Sequence, residues 1–418
     1  MKKVLALVLA FMMLLCACAV AETSISTTAA EIELTGNPED LKVGVILIGD
    51  ETEGYTMAHI TGIKEAAASL GLKDDQFVWK YLVGEDAGCG EALDDCVDRG
   101  CNVIFTNSFG HQSYAQEAAG KYPEVQFVAM TGDTAALAGL DNFSNAFTKV
   151  YESRYVSGVV AGLKLAEMIE NDELVETNFD ADGNIKIGYV GAFPYAEVVS
   201  GYTAFFLGIR SIVPNVVMSV QYTNSWFTQT GEAEAANALL ATGCAIIGQH
   251  ADSTGAPQAV QAARESGSNA YSIGYNIDML SVAPEAALTS AGNVWEVYYE
   301  YAMKTAINGD AIARDWAAGY ESDAVAITPL GPSCAPGTAE KVEETIAGLK
   351  DGSIKVFDIT TFTVGGENVN PDETFALDND GDYVRESYEG VVDGAFAESY
   401  YRSAPSFDMR IDGITELN

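Results

Sequence analysis

The sequence predicts an α/β protein built as two doubly wound parallel-sheet lobes with a hinge and a central cleft. Three observations carry this. Apolar runs of about five to eight residues alternate with helical patterns from residue 42 to 309, the mark of parallel strands covered by helices on both faces. The pattern also repeats: "KVGVI" at Lys42 returns as "KIGYV" at Lys186, 144 residues later, and "GCNVIF" at Gly100 returns as "GCAIIG" at Gly243, 143 residues later. Two matches in one register point to a duplicated unit. Finally, 418 residues exceed what one hydrophobic core usually holds.

In chain order, the strands are expected at Val43 to Ile48, Gln76 to Leu82, Val103 to Asn107 and Val125 to Met130, then Ile185 to Val190, Val216 to Thr223, Ala245 to Gln249 and Ala270 to Tyr275. Met57 to Leu70 and Ala256 to Ser266 read as helices. The expected organisation places 41–148 and about 286–315 in an N-terminal lobe, and about 149–285 with 316–418 in a C-terminal lobe. Within the last stretch, "IKVFDITTFTV" from Ile354 reads as strand and "YEGVVDGAFAESYY" from Tyr388 as an aromatic helix.

The N-terminus reads as an export signal. Lys2 and Lys3 precede an apolar run from Val4 to Leu15, too short for a stable membrane span. Leu15-Cys16-Ala17-Cys18 is similar to a bacterial lipobox, giving a signal peptide over 1–17 and Cys18 as the lipidated residue; cleavage after Ala19-Val20-Ala21 is the other reading. The acidic, Ser/Thr-rich segment up to Asp40 then reads as a flexible tether, 18–40. Export permits a disulfide, with Cys89 pairing Cys96 or Cys101. No CxxC pair occurs and His59, His111 and His250 lie far apart, so no metal site is expected.

Sixty acidic against 22 basic residues give a net charge of −38, which repels nucleic acid. "DADGN" at Asp180 and "DNDGD" at Asp378 have calcium-loop character but lack the downstream Glu, so turn chemistry accounts for both. His250, Asp252 and Ser253 hold the residue types of a hydrolase triad, yet they crowd one loop, and the chain has no G-x-S-x-G, P-loop or G-x-G-x-x-G. No enzyme activity and no cofactor are expected.

Ligands of open α/β sheets bind outside the carboxyl ends of the strands. Reading the residues after each strand lists Gly49 to Tyr55 with Glu53 among them, then Ser108 and Phe109, Thr131 to Asp133, Phe193, Trp226 and Phe227, His250 and Asp252, and Asn276 and Asp278. Aromatics recur where turns favour Gly, Pro, Asn and Asp. Either Trp226 or Phe227 is expected to line the cleft, the other turning back into its lobe.

"NVIFTNSFG", "YESRYVSGVVAG", "GYVGAFPYAEVVSGYTAFFLGIRSIVP", "YTNSWF", "GQHADSTG" and "IGYNIDM" resemble, in collinear order over about residues 42 to 310, blocks of the basic membrane protein family. These are purine nucleoside receptor-like, ABC-transporter substrate-binding lipoproteins. The resemblance implies a type I periplasmic-binding-protein fold with three crossing segments. It implies a purine base or nucleoside in the cleft, delivery to an ABC permease and its ATPase, a monomer, and lipid anchoring on the outer face of the cell membrane. Stacking falls to Phe109, Phe193 and Trp226 with Tyr55 at the rim, and edge hydrogen bonds to Asn107, Ser108, His250, Asp252 and Asp278. "GDETEGYT" lacks the Asn usual in the family's first loop, and Asn276 stands where the family has an aspartate, which favours a base over a nucleoside. Hinges are expected at Phe147 to Arg154 and Asp278 to Leu288. A sugar- or autoinducer-binding receptor of the same fold, feeding a membrane sensor, is the other functional reading.

Overall fold

The computed structural model describes residues 24–377 and 386–418. Cys18 and the Asp378 turn lie outside the described residues.

Among the described residues, nine helices and two sheets position the cleft. In chain order they are β1 (Val43–Ile46), α1 (Gly54–Ser69), β2 (Phe77–Lys80), α2 (Ala87–Asp98), β3 (Val103–Thr106), α3 (Gln112–Lys121), β4 (Gln126–Met130) and β5 (Phe143–Thr148). Then come α4 (Val150–Glu170), β6 (Ile185–Gly191), α5 (Ala196–Arg210), β7 (Val216–Tyr222), α6 (Gln229–Ala241), β8 (Ile246–His250), α7 (Gly255–Glu265), β9 (Tyr271–Tyr275) and β10 (Ala287–Asn293). The remainder is α8 (Trp295–Ile307), β11 (Asp315–Ala318), β12 (Val325–Ile327) and α9 (Thr338–Lys350). Short 3-10 turns, one further short helix and small hairpins accompany them.

One sheet runs β11-β5-β4-β3-β1-β2 and the other β12-β10-β9-β8-β6-β7, extended by the strand Ile414–Glu416. The two orders correspond strand for strand, as the repeated motifs predict. The motif glycines explain part of the repeat. A Cβ on Gly44 of β1 would lie 3.1 Å from Cys96 Cβ on α2, and one on Gly188 of β6 would lie 3.0 Å from Leu239 on α6. At equivalent places, each glycine lets a helix approach its sheet.

The chain crosses between lobes after Thr148, after Asn293 and after Ala318. The first crossing falls within the expected hinge. The second does not: residues 278–286 stay in the second lobe, and β10 pairs in parallel with β9 there, so the return comes at Val294 rather than near 286. β11 in turn belongs to the first sheet, beside β5, so the third crossing follows 318 rather than 315. The crossings are bonded to one another: Thr148 Oγ1 donates to Asn293 Oδ1 at 2.5 Å, and Val294 N–H donates to Ala324 O at 2.8 Å.

Other expectations are corrected. From Ser24 on, the supposed tether lies along the first lobe: Ala317 N–H donates to Ile25 O at 2.8 Å and Trp316 Nε1 to Thr27 O at 2.8 Å. Cys89, Cys96 and Cys101 are buried free thiols. Cys89 and Cys96 sit two turns apart on α2, roughly 10 Å along the axis, beyond disulfide reach. The expected aromatic helix is instead a hairpin in which Val391–Val392 pairs Ala395–Phe396. Asp393 and Gly394 between them both have positive φ, the two-residue turn that a D-G pair favours.

The C-terminal segment joins both lobes. Val356, Phe357, Phe362 and Phe407 enter the second lobe's core. Between them, Ser403 N–H donates to Asp315 Oδ1 of the first lobe at 2.9 Å, and Ser24 N–H donates to Tyr400 O at 3.0 Å. No helix among the described residues is long and apolar enough to cross a membrane.

Candidate ligand-binding cleft

A cavity of about 510 Å³ opens between the lobes at the carboxyl edges of both sheets. The first lobe contributes the loop after β1 through Tyr55, Glu85, Ser108, Phe109 and Thr131. The second contributes Phe193, Glu197, the loop Asn224 to Phe227, Asp252 and Tyr275. The size is that of a small-molecule site.

The loop after β7 is fixed by its own polar groups. Asn224 takes a left-handed turn at φ 55, Thr223 Oγ1 donates to Ser225 O at 2.8 Å, and Asp252 N–H donates to Trp226 O at 2.8 Å. This presents both Trp226 and Phe227 to the cavity, rather than one of them. Trp226 meets Phe193 edge to face at 5.3 Å between ring centroids, and Phe193 stacks on Tyr195 at 5.2 Å. Phe109, 40% exposed, offers an aromatic face from the other lobe.

Of the residues expected at the site, Tyr55, Ser108, Phe109, Phe193, Trp226, Phe227 and Asp252 line the cavity. The others do not. Asn107 is buried as a clip, accepting from Ile48 N–H at 2.8 Å and donating to Thr56 Oγ1 at 3.2 Å. Tyr55 is wall rather than rim, its hydroxyl donating to Asn107 O. Asn276 stands behind Asp252 and donates to its Oδ1 at 2.9 Å. Asp278 is exposed and accepts from Leu280 N–H at 2.8 Å, a local turn that takes it away from the cavity. His250 is fully buried behind Glu197, its Nε2 3.1 Å from Glu197 Oε1. Ser253 Oγ accepts from Gly255 N–H at 3.1 Å, so His250, Asp252 and Ser253 form no catalytic triad.

Reading strand ends places Glu53 and Thr131 at the cleft, as the cavity has them, but misses Glu197 and Tyr275. Glu197 is the instructive case. It lies in the first turn of α5, past the loop, but helix side chains tilt toward the N-terminus and so toward the cleft. A rule that also reads the first turn after each loop recovers it.

Burial sets the charge states. It pushes Glu197 up to about 7, with Arg154 opposing. It also raises Asp252, with Glu53, Glu232 and Glu197 adding to the effect, and raises Glu53, partly offset by hydrogen bonds from Thr56. Burial, reinforced by Arg154, holds His250 well below the usual histidine range. The contact between His250 and Glu197 is therefore a hydrogen bond to a neutral imidazole rather than an ion pair. Arg154 is buried behind the wall, 3.7 Å over the Tyr275 ring, and donates to Gln249 O. Among the described residues, no group of His, Cys, Asp and Glu could hold a metal ion.

The family of PnrA-like ABC transporter substrate-binding proteins (Bmp) matches residues 50–346. A purine-binding protein of Brucella abortus is 33% identical over 321 residues, which cover 76% of this chain and 83% of that one. A putative ABC transporter glucose-binding protein of Haloferax volcanii is 28% identical over 341 residues, 79% of this chain and 77% of that one. Among solved structures, an ABC transporter solute-binding protein of Aeropyrum pernix has a TM-score of 0.62 at 17% identity, covering 75% of this chain and 92% of that chain. The chain belongs to the PnrA-like family of ABC transporter substrate-binding proteins, the non-enzymatic, extracytoplasmic components that bind a small molecule and work with a permease.

Proposed function

We propose that this protein captures a purine base or nucleoside in the interlobe cleft and delivers it to an ABC permease and its ATPase. It acts as a monomer anchored by lipid on Cys18. The observation that supports the ligand is that aromatic rings from both lobes line one cavity, Phe109 from the first and Phe193, Trp226 and Phe227 from the second, with carboxyl groups at Glu53, Glu197 and Asp252. A flat heteroaromatic ligand gains from stacking on both faces. Its N–H edge suits carboxylates, which only accept when ionised. The Brucella relative bears a purine-binding name. The glucose-binding name of the Haloferax relative supports a second reading, a sugar ligand, since pyranose rings also stack on aromatics. Sugar hydroxyls also donate to carboxylates, so the acidic wall suits both ligand classes and direct binding must separate them.

Calorimetry with adenine, guanine, adenosine, guanosine, glucose and ribose tests the ligand. Heat from at least one purine and none from the sugars is expected; the reverse overturns the purine reading. Cys18→Ser is expected to move the protein from the membrane fraction to the soluble fraction of intact cells. Membrane association that survives the change contradicts the lipid anchor.

A further inference from the structure

We infer that Glu197 is a specificity-determining residue of the cleft: its Oε2 accepts a hydrogen bond from an N–H or amino group of the ligand, while His250 positions the carboxyl group from behind through Oε1. This rests on the purine reading above and deepens it. A Glu in the first turn of a helix ordinarily faces water and complements the helix dipole. Glu197 is instead only 19% exposed in its side chain, and what exposure remains faces the cavity. Its Oε1 lies 3.1 Å from His250 Nε2, whereas Oε2 makes no hydrogen bond among the described residues.

The surroundings are built for this contact. His250 is 0% exposed at the end of β8, and its ring fits behind Glu197 because residue 201, one turn along α5, is glycine. A Cβ on Gly201 would lie 2.7 Å from His250 Nδ1. Tyr275 closes the other side, with ring centroids 4.9 Å apart. The other carboxyls of the wall have local partners: Asp50 accepts from Thr52, and Glu85 from Ser108 Oγ and Gly110 N–H. Glu53 caps α1 through Thr56, and Asp252 Oδ1 is bound by Asn276, itself held by Asn293 Nδ2 at 3.1 Å.

A consequence follows for protons. A ligand donor favours the ionised carboxylate, and burial places Glu197 at about 7. Binding therefore releases a proton below that pH, and affinity falls as pH drops through it. The groups around Glu197 are Arg154 from α4, His250 and Asp252 from β8 and its loop, Tyr189 from β6, Tyr275 from β9 and Tyr55 from the first lobe, while Glu53 and Glu232 act on Asp252. Of these, Asp252 and Glu53 also titrate upward, so the variant must identify the source.

The test is calorimetry of the purified chain with adenine, guanine and hypoxanthine at pH 6.5, in two buffers of different ionisation enthalpy. Wild type is expected to release protons on binding. Glu197→Gln is expected to lose most of that release, to weaken the preferred base roughly ten- to a hundredfold, and to reorder the three bases, since an amide can donate where the carboxylate accepts. A purely structural glutamate would weaken all three alike. Wild-type binding without proton release, or an unchanged ranking in a folded Glu197→Gln, overturns the inference and leaves the purine reading standing. No binding of any purine by wild type overturns the purine reading and this inference together.

Discussion

The two lobes share one strand order and differ in what they present to the cleft. In the first lobe the wall groups serve their own fold. Glu53 caps α1, the Tyr55 hydroxyl bonds Asn107 O, and Ser108 Oγ donates to Glu85 Oε1 at 2.6 Å. In the second lobe Phe193, Tyr195 and Trp226 form a cluster of rings, with Phe227 also on the cavity wall, and Glu197 and Asp252 each keep one oxygen without a hydrogen bond among the described residues. The repeated strand order supplies the scaffold, and under the proposed function the difference in walls gives recognition to the second lobe and closure to the first.

The largest test of that difference is a pair of truncations. Trp226→Ala is expected to weaken purine binding by on the order of 1–3 kcal/mol, roughly ten- to a hundredfold, measured by calorimetry. Phe109→Ala is expected to cost less than tenfold, because Phe109 is exposed and lacks the neighbouring rings that hold Trp226. Equal losses would erase the distinction between the lobes.

A smaller effect sharpens the link from the second lobe to the hinge. Asp252, Asn276, Asn293 and Thr148 form a continuous hydrogen-bonded row from cleft wall to crossing segments. Asn276→Ala removes the donor to Asp252 Oδ1 and is expected to weaken binding a few-fold, with a smaller ligand-induced drop in the radius of gyration by small-angle scattering. Full affinity and full compaction in this variant would make the row scaffold only.

The smallest effect concerns the C-terminal strap across the lobes. Burial raises Asp315 to about 6 despite the Ser403 N–H bond. Its folded value therefore lies above its unfolded value of about 4. Such a group costs nothing while protonated in both states. It disfavours folding increasingly as pH rises from about 4 to about 6, because the unfolded carboxyl ionises first. Asp315→Asn should flatten this window of the melting-temperature profile; an identical profile would show that the strap's contact does not feel the titration.

How much of this was legible follows from the residues. The eight expected strands all form, most of them runs of bulky or β-branched residues buried on both faces, with β2 and β7 only partly buried. β5 reads "FSNAFT" and β10 "ALTSAGN", runs of small and polar residues that look like loop and are strands because neighbours pair with them. Missing β10 displaced the second hinge. In the cleft, residues directly after strands were found where the chain stayed at the sheet edge. Asp278 failed because its turn leads outward, and Glu197 was missed because it sits on a helix. The segment from Ser24 on reads as a tether because its polar composition hides its backbone pairing with β11.

The central claim is that the Trp226 loop stacks on a purine ring when the lobes close. Titrating wild type and Trp226→Phe with adenine while following tryptophan emission tests it most directly, since of the other three tryptophans Trp295 and Trp316 are buried in the first lobe's core, Trp79 packs against that core, and none lines the cavity. Saturable quenching in wild type, absent from a Trp226→Phe protein that still binds adenine by calorimetry, is the result expected. Quenching that persists undiminished in Trp226→Phe would contradict the account.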